Sequence, residues 1–257
     1  MFEGDWSSNR GPRQTRRKKL TMKVGQNIEV GNANWSFGGN VPDTFVEHIR
    51  QSVPLYEEGH EIVCYLSDFF CMNGGTCYEV GVSTGELLRK LVIHNRHKPD
   101  IRWTGMDCEA AMIKKAKEHC GDLDNVEILN EDARLFEFEP CDLIVSYYCM
   151  QFIPPRDRQS LFNKFYQSLN WGGALVLFEK VRGPDARFQD ILTSLYNDFK
   201  IRQGFSAEEI VSKTASLKGI LEPFSTAGNM GLLARAGFVD VMTVMKYLGF
   251  EGYLAIK

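Results

Sequence analysis

Between residues 76 and 180 the chain alternates two kinds of hydrophobic pattern, and few folds accept that alternation. T-C-Y-E-V (76–80), I-R-W-T-G-M-D (101–107), V-E-I-L (126–129), C-D-L-I-V-S-Y (141–147) and A-L-V-L-F-E-K (174–180) are short, nearly unbroken apolar runs. E-L-L-R-K-L-V-I-H (86–94) and A-M-I-K-K-A-K-E-H (111–119) repeat their apolar residues three and four apart, and in residues 156–169 Leu161, Phe165 and Leu169 fall on one face. The first pattern predicts buried strands and the second amphipathic helices. Strands that alternate with helices imply an α/β, Rossmann-like doubly wound parallel sheet covered on both faces. N-W-G-G (170–173) reads as the turn before the last strand of this series.

The flanks are organised differently. Residues 41–49 suggest a short helix. A second helix follows Pro54, with Ile62, Leu66 and Phe69 at helical spacing, and Asn73-Gly74-Gly75 closes it. Residues 25–75 then form a helical cap on a domain spanning 76–257. Residues 184–222 read as a helical insert, broken near Gln203-Gly204, with Ser206 and Glu209 as a capping box. A helical insert at this point suits a substrate lid. L-L-A-R-A-G-F (232–238) reads as a short helix. V-D-V-M-T-V-M and E-G-Y-L-A-I-K follow as an antiparallel hairpin that ends the sheet.

Composition narrows the function classes. Net charge is −3, which excludes a generally basic nucleic-acid binder. Residues 1–24 nevertheless hold seven basic residues (Arg10, Arg13, Arg16, Arg17, Lys18, Lys19 and Lys23) against Glu3 and Asp5. That stretch reads first as a disordered, solvated tail and second as an arm that contacts RNA. No run is long and apolar enough for a membrane helix, and residues 1–30 hold no secretion-signal core. Seven cysteines without a C-x-x-C pair read as free core thiols in a reducing, cytoplasmic compartment, with no metal site. His48 and His60 are expected at the surface.

The chemistry concentrates at E-V-G-V-S-T-G (79–85), where a strand hands over to a helix. A dinucleotide fingerprint needs G-x-G-x-x-G, but Ser83 and Glu86 stand at its third and sixth positions. No Gly-Lys-Ser or Gly-Lys-Thr follows, so the turn is no phosphate-gripping loop. Glu79 would repel a pyrophosphate but suits an ammonium group. Asp107 ends the second strand, where an acid accepts hydrogen bonds from ribose hydroxyls. Asp132 follows the third strand, in reach of an adenine amino group. Ammonium, ribose and adenine without phosphate describe S-adenosyl-L-methionine.

On these residues the chain resembles the class I S-adenosylmethionine-dependent methyltransferases, E-V-G-V-S-T-G standing at that family's E-x-G-x-G-x-G with Ser83 for the middle glycine. The resemblance spans about residues 76–257 and implies seven strands with the last antiparallel. N-W-S-F, R-Q-S-V-P-L-Y, M-Q-F-I-P-P-R-D-R-Q, L-N-W-G-G-A-L-V-L-F-E-K and N-D-F-K…G-F-S-A-E-E-I are similar, more narrowly, to the carboxy-S-adenosylmethionine synthase branch. That branch makes a carboxylated cofactor from S-adenosylmethionine and prephenate, for tRNA wobble-uridine modification. By this resemblance the cofactor contacts are Tyr56, Gly81, Ser83, Asp107, Cys108, Asp132 and Ala133, and Glu79, Gly85 and Tyr147 complete the candidate cofactor-binding set. The synthases' asparagine after the fourth strand is Tyr147 here, and the arginine that holds their added carboxylate is Thr214. A threonine offers no bidentate partner to a carboxylate. The expected activity is therefore methyl transfer to a small-molecule acceptor, with carboxylated-cofactor synthesis as the alternative. Tyr147, Tyr148 and Glu179 are the candidate catalytic residues at the strand ends, Trp35 and Tyr56 could cap the cofactor, and the resemblance suggests a homodimer through the insert.

Overall fold

The computed structural model describes residues 22–23, 29–30, 33 and 41–257. Two short strands, β1 (Met22–Lys23) and β2 (Glu29–Val30), pair antiparallel, so Met22 and Lys23 are paired within what the sequence assigned to the tail. Residues 1–21, with most of the basic charge and the expected RNA contact, lie outside the described residues, as does Trp35.

Helices α1 (Val41–Ser52) and α2 (Tyr56–Phe70) precede the main sheet. Then follow β3 (Thr76–Val80), α3 (Glu86–His94), β4 (Arg102–Asp107), α4 (Ala110–His119), β5 (Val126–Asn130) and β6 (Cys141–Tyr147). A single 3-10 turn at Met150–Phe152 leads to α5 (Pro155–Ser168) and β7 (Leu169–Lys180). The insert is α6 (Ala186–Arg202) and α7 (Ala207–Ser216), and α8 (Thr226–Ala236), β8 (Asp240–Tyr247) and β9 (Phe250–Ile256) close the chain.

The sheet has seven strands in the order β5-β4-β3-β6-β7-β9-β8. Strands β3 to β7 are mutually parallel, and β9 lies antiparallel between β7 and β8. All five residues of β3 are buried, which is why its sequence is unbroken rather than alternating. One core packs α2, α3 and α4 on a sheet face, through Val63, Leu88, Leu91 and Ile113. The other packs α5 and α8 on the opposite face, through Leu161, Phe165, Leu232 and Leu233. Each fully buried aliphatic side chain contributes about 1.5–3 kcal/mol relative to exposure. Chain order reverses between β3 and β6, and ligands of such sheets bind at the carboxyl ends of the strands beside that reversal.

Two expectations are corrected. N-W-G-G is not a turn: it is the start of β7. There the Gly172 amide donates to the Lys257 carbonyl and the Lys257 amide to the Gly173 carbonyl, both at 2.9 Å. Pairing with the chain's far end overrides the local turn chemistry. His48 and His60 are also not surface residues, being 2% and 0% exposed. The capping box on α7 is present in both directions.

Candidate active site

Because β3, β4, β6 and β7 run parallel, Val80, Asp107, Tyr147 and Lys180 leave the sheet at one end. The turn after β3 takes positive φ at Gly81 (+80°), Ser83 (+51°) and Gly85 (+84°). Ser83 thus holds the left-handed backbone that a glycine would adopt freely. A Cβ on Gly81 would lie 2.6 Å from both Cβ and Sγ of Cys149. Only a glycine lets the loops after β3 and β6 come this close.

Glu79 is 3% exposed, and its Oε2 has no partner among the described residues. Burial first, and then the Asp107 charge, push its carboxyl well above the usual range, while the Leu88 amide at the start of α3 opposes them. An orphaned carboxylate oxygen in such a place is suited to an incoming ammonium. Ser146, opposite Val80 in the parallel pair, also buries a hydroxyl without a partner among the described residues. The Asp107 carboxylate accepts the Ser83 amide at 3.1 Å and the Glu109 amide at 2.9 Å, one on each oxygen. Each oxygen keeps a lone pair for a hydroxyl, as ribose contact requires. Cys108 beside it is exposed. Asp132 is engaged differently. Arg134 grips both of its oxygens and also pairs with Asp157 at 2.8 Å, which holds Asp132 below the usual carboxylate range. The carboxylate that the sequence assigned to adenine is thus engaged by Arg134 in this structure, next to a buried Ala133.

Tyr147 and Tyr148, adjacent at the end of β6, do different things. The Tyr147 hydroxyl donates to the Tyr56 carbonyl at 2.7 Å, and its ring packs on Tyr56, His60 and Phe178. It ties the sheet to the first turn of α2. Tyr148 has φ +56° and a buried hydroxyl without a partner among the described residues. Burial, then the Glu179 charge, raise this phenol well above its ordinary value, so it stays protonated. Glu179 is 1% exposed, and its Oε1 has no partner among the described residues. Burial lifts its pKa to about 8 against the opposing pull of Arg158 and of the Gln151 and Met150 amides. Arg158 is itself buried, donating to the carbonyls of Ile153 (2.8 Å) and Gln151 (3.1 Å).

Several site neighbours were missed from sequence. The signal for His60 was present, since Tyr56, His60, Val63 and Ser67 share one helical face. Ser146, Arg158, Lys180 and Lys200 carried no signal, because only their tertiary neighbours bury them. Thr214 is exposed and donates to its own helix at the Ile210 carbonyl, 2.8 Å away. A cleft lined by Arg50, Tyr56, Phe199 and Tyr247 opens between the start of α2 and the end of α6, and its lining includes no residue of the glycine turn. Among the described residues no group of histidine, cysteine and acidic side chains could hold a metal ion, and no helix is long and apolar enough to cross a membrane.

Comparison with known proteins agrees with this geometry. The profile of a methyltransferase domain matches residues 78–173. The carboxy-S-adenosyl-L-methionine synthase of Staphylococcus epidermidis is 36% identical over 224 residues, covering 87% of this chain and 97% of that protein. The synthase of a Campylobacter jejuni strain is 34% identical, covering 87% and 94%. Among solved structures, a putative O-methyltransferase from Nostoc punctiforme superposes with a TM-score of 0.59 at 15% identity, covering 85% of this chain and 60% of that one. Human N-acetylserotonin methyltransferase in complex with S-adenosylmethionine gives 0.52 at 17% identity, covering 86% and 61%. These two likenesses establish the fold.

Proposed function

Because the chain belongs to the class I S-adenosylmethionine-dependent methyltransferases, on the branch of the carboxy-S-adenosyl-L-methionine synthases, its chemistry starts from that cofactor, and we propose that it transfers the methyl group to a small-molecule acceptor. Bound S-adenosylmethionine supplies a methyl carbon on a sulfonium, so displacement expels a neutral thioether. The protein's work is then alignment, exclusion of water and acceptance of one proton. Glu79 receives the ammonium, which returns its carboxyl to the charged form. Asp107, fixed by two amides, holds the ribose hydroxyls. Tyr147 closes α2 over this pocket by its bond to the Tyr56 carbonyl. The Tyr148 hydroxyl orients the acceptor, and Glu179, poised near 8, is the base that takes the acceptor's proton.

The observation that carries methyl transfer is Thr214. Where the resemblance places an arginine gripping an added carboxylate, this chain has an exposed hydroxyl spent on its own helix. A second reading, formation of the carboxylated cofactor, is favoured by the reach of the identity, which covers 87% of the chain rather than the methyltransferase domain alone. The ligand carried by freshly purified protein, identified by mass spectrometry, separates them. S-adenosylmethionine or S-adenosylhomocysteine is expected, and S-adenosylhomocysteine must then accumulate with a methylated acceptor. A carboxylated cofactor, or its formation from added prephenate, overturns the methyl-transfer reading.

A further inference from the structure

Two of the chain's cysteines meet in the core beneath the cap. Cys71 directly follows α2, and Cys77 is the second residue of β3. Their Sγ atoms lie 3.3 Å apart, a thiol–thiol hydrogen bond in which either sulfur can donate. Both side chains are 0% exposed. Two other buried thiols are spent on backbone instead. Cys120 donates to the Gly85 carbonyl and Cys141 to the Ser168 carbonyl, each at 3.6 Å.

The surrounding backbone fixes the pair. The Cys71 amide donates to the Ser67 carbonyl at 2.9 Å, and Cys77 sits between Trp103 of β4 and Leu143 of β6. The connection between them is tight. Gly74 takes φ +82°, the Gly75 amide donates to the Met72 carbonyl at 2.9 Å, and the Thr76 amide donates to the Asp142 carboxylate at 3.2 Å. A disulfide bond is about 2.0 Å long, so the two sulfurs need approach by only roughly 1.3 Å.

The pair also has an entry and a reason to close. Met72, Asn73 and Gly74 are exposed, and helix ends are among the cheapest parts of a fold to open, so a small oxidant reaches Cys71 from that side. A buried thiol oxidised on to sulfinic acid would leave an irreversible polar group in the core. A second thiol in contact intercepts it at the sulfenic acid stage. The hydrogen bond to Cys71 first, and burial second, push the Cys77 thiol well above the usual range, so Cys77 keeps its proton until its neighbour is oxidised.

We propose that Cys71 and Cys77 are a reversible oxidation site, which reacts with hydrogen peroxide and closes a disulfide between the end of α2 and β3. The Cys71 sulfur, having given up its proton, attacks one peroxide oxygen. The O–O bond breaks, Cys71 becomes a sulfenic acid, and the departing hydroxide takes up a proton as water. The Cys77 sulfur then attacks Cys71 Sγ. The S–S bond forms, the S–O bond breaks, and the hydroxyl leaves with the Cys77 proton as a second water. Two thiols lose two electrons, and one peroxide gains them. The bond ties the cap helix to the strand that carries Glu79, at the opposite end of β3 from the glycine turn.

The test uses the full wild-type chain. Reduced protein is treated with hydrogen peroxide, the remaining thiols are capped with N-ethylmaleimide, and the digest is read by mass spectrometry. The peptide holding both residues is expected to carry a Cys71–Cys77 disulfide, about 2 Da lighter than the dithiol and reopened by dithiothreitol. In Cys77→Ala, Cys71 loses its interceptor and should gain about 32 Da as a sulfinic acid that dithiothreitol does not reverse. Cys77→Ser is the second variant, should Cys77→Ala not fold. Three results overturn the proposal. One is recovery of Cys71 and Cys77 as maleimide adducts at a peroxide dose that has oxidised the exposed Cys108. The others are a disulfide from either residue to a different cysteine, and sulfinic acid at Cys71 in the wild-type chain.

Discussion

At the scale of single residues, the site is built from polar groups whose partners are missing or minimal, and their roles follow from what each still needs. Asp107 has one amide on each oxygen and room for one hydroxyl on each. Asp107→Ala should weaken S-adenosylhomocysteine binding by about 1–3 kcal/mol, because it strands the ribose hydroxyls. Calorimetry showing unchanged affinity would remove the ribose role. Glu179 makes a prediction about pH. Its folded value of about 8 lies above the roughly 4.3 of an unfolded glutamate, so the folded state binds the extra proton in between. Its contribution to stability is whole below the unfolded value and is lost as pH rises through about 8. Glu179→Gln should therefore lose less stability between pH 5 and pH 9 than the parent does. Urea midpoints at both pH values check this, and parallel losses would mean that Glu179 is not the titrating group. The sequence pointed to Glu79 and Asp107 through their spacing from the glycine turn. It did not show that Arg134, two residues further on, engages Asp132 and also reaches Asp157 in the first turn of α5.

At the scale of elements, the cap helix α2 is joined to the sheet by a contact with no slack. A Cβ on Gly59 would sit 2.1 Å from the Tyr147 hydroxyl. Glycine to alanine inside a helix ordinarily stabilises by about 1 kcal/mol. Here Gly59→Ala should instead destabilise by about 1–3 kcal/mol, the cost of overpacking. Tyr147→Phe removes the clashing oxygen, so the double variant should recover part of that loss. Additive losses in urea denaturation would show that the Tyr147 hydroxyl is not what Gly59 accommodates. The helical periods predicted α3, α4, α5 and the two insert helices, because their apolar stripes face the core or their caps are local. N-W-G-G misled for the opposite reason, since its strand pairing comes from residues more than 80 positions away.

At the scale of the whole molecule, the parallel strands gather residues from positions 79 to 180 at one end of one sheet. Cofactor binding should then stabilise the whole domain. S-adenosylhomocysteine at 100 times its dissociation constant should add about 2.7 kcal/mol to unfolding. A thermal midpoint that does not move would mean the pocket does not take this ligand. The sequence by itself determined the fold class, the strand and helix order, the antiparallel ending and the acids around the glycine turn. These rest on periodicity and on short-range turn chemistry, which neighbouring residues in the chain carry. Tertiary structure alone decided that His48 and His60 are buried, that Tyr147 braces α2 while the Tyr148 hydroxyl has no partner among the described residues, and that Lys180 and Lys200 share the Tyr196 ring. Burial and electrostatic coupling arise between side chains brought together from distant elements, and no local pattern encodes which distant groups meet.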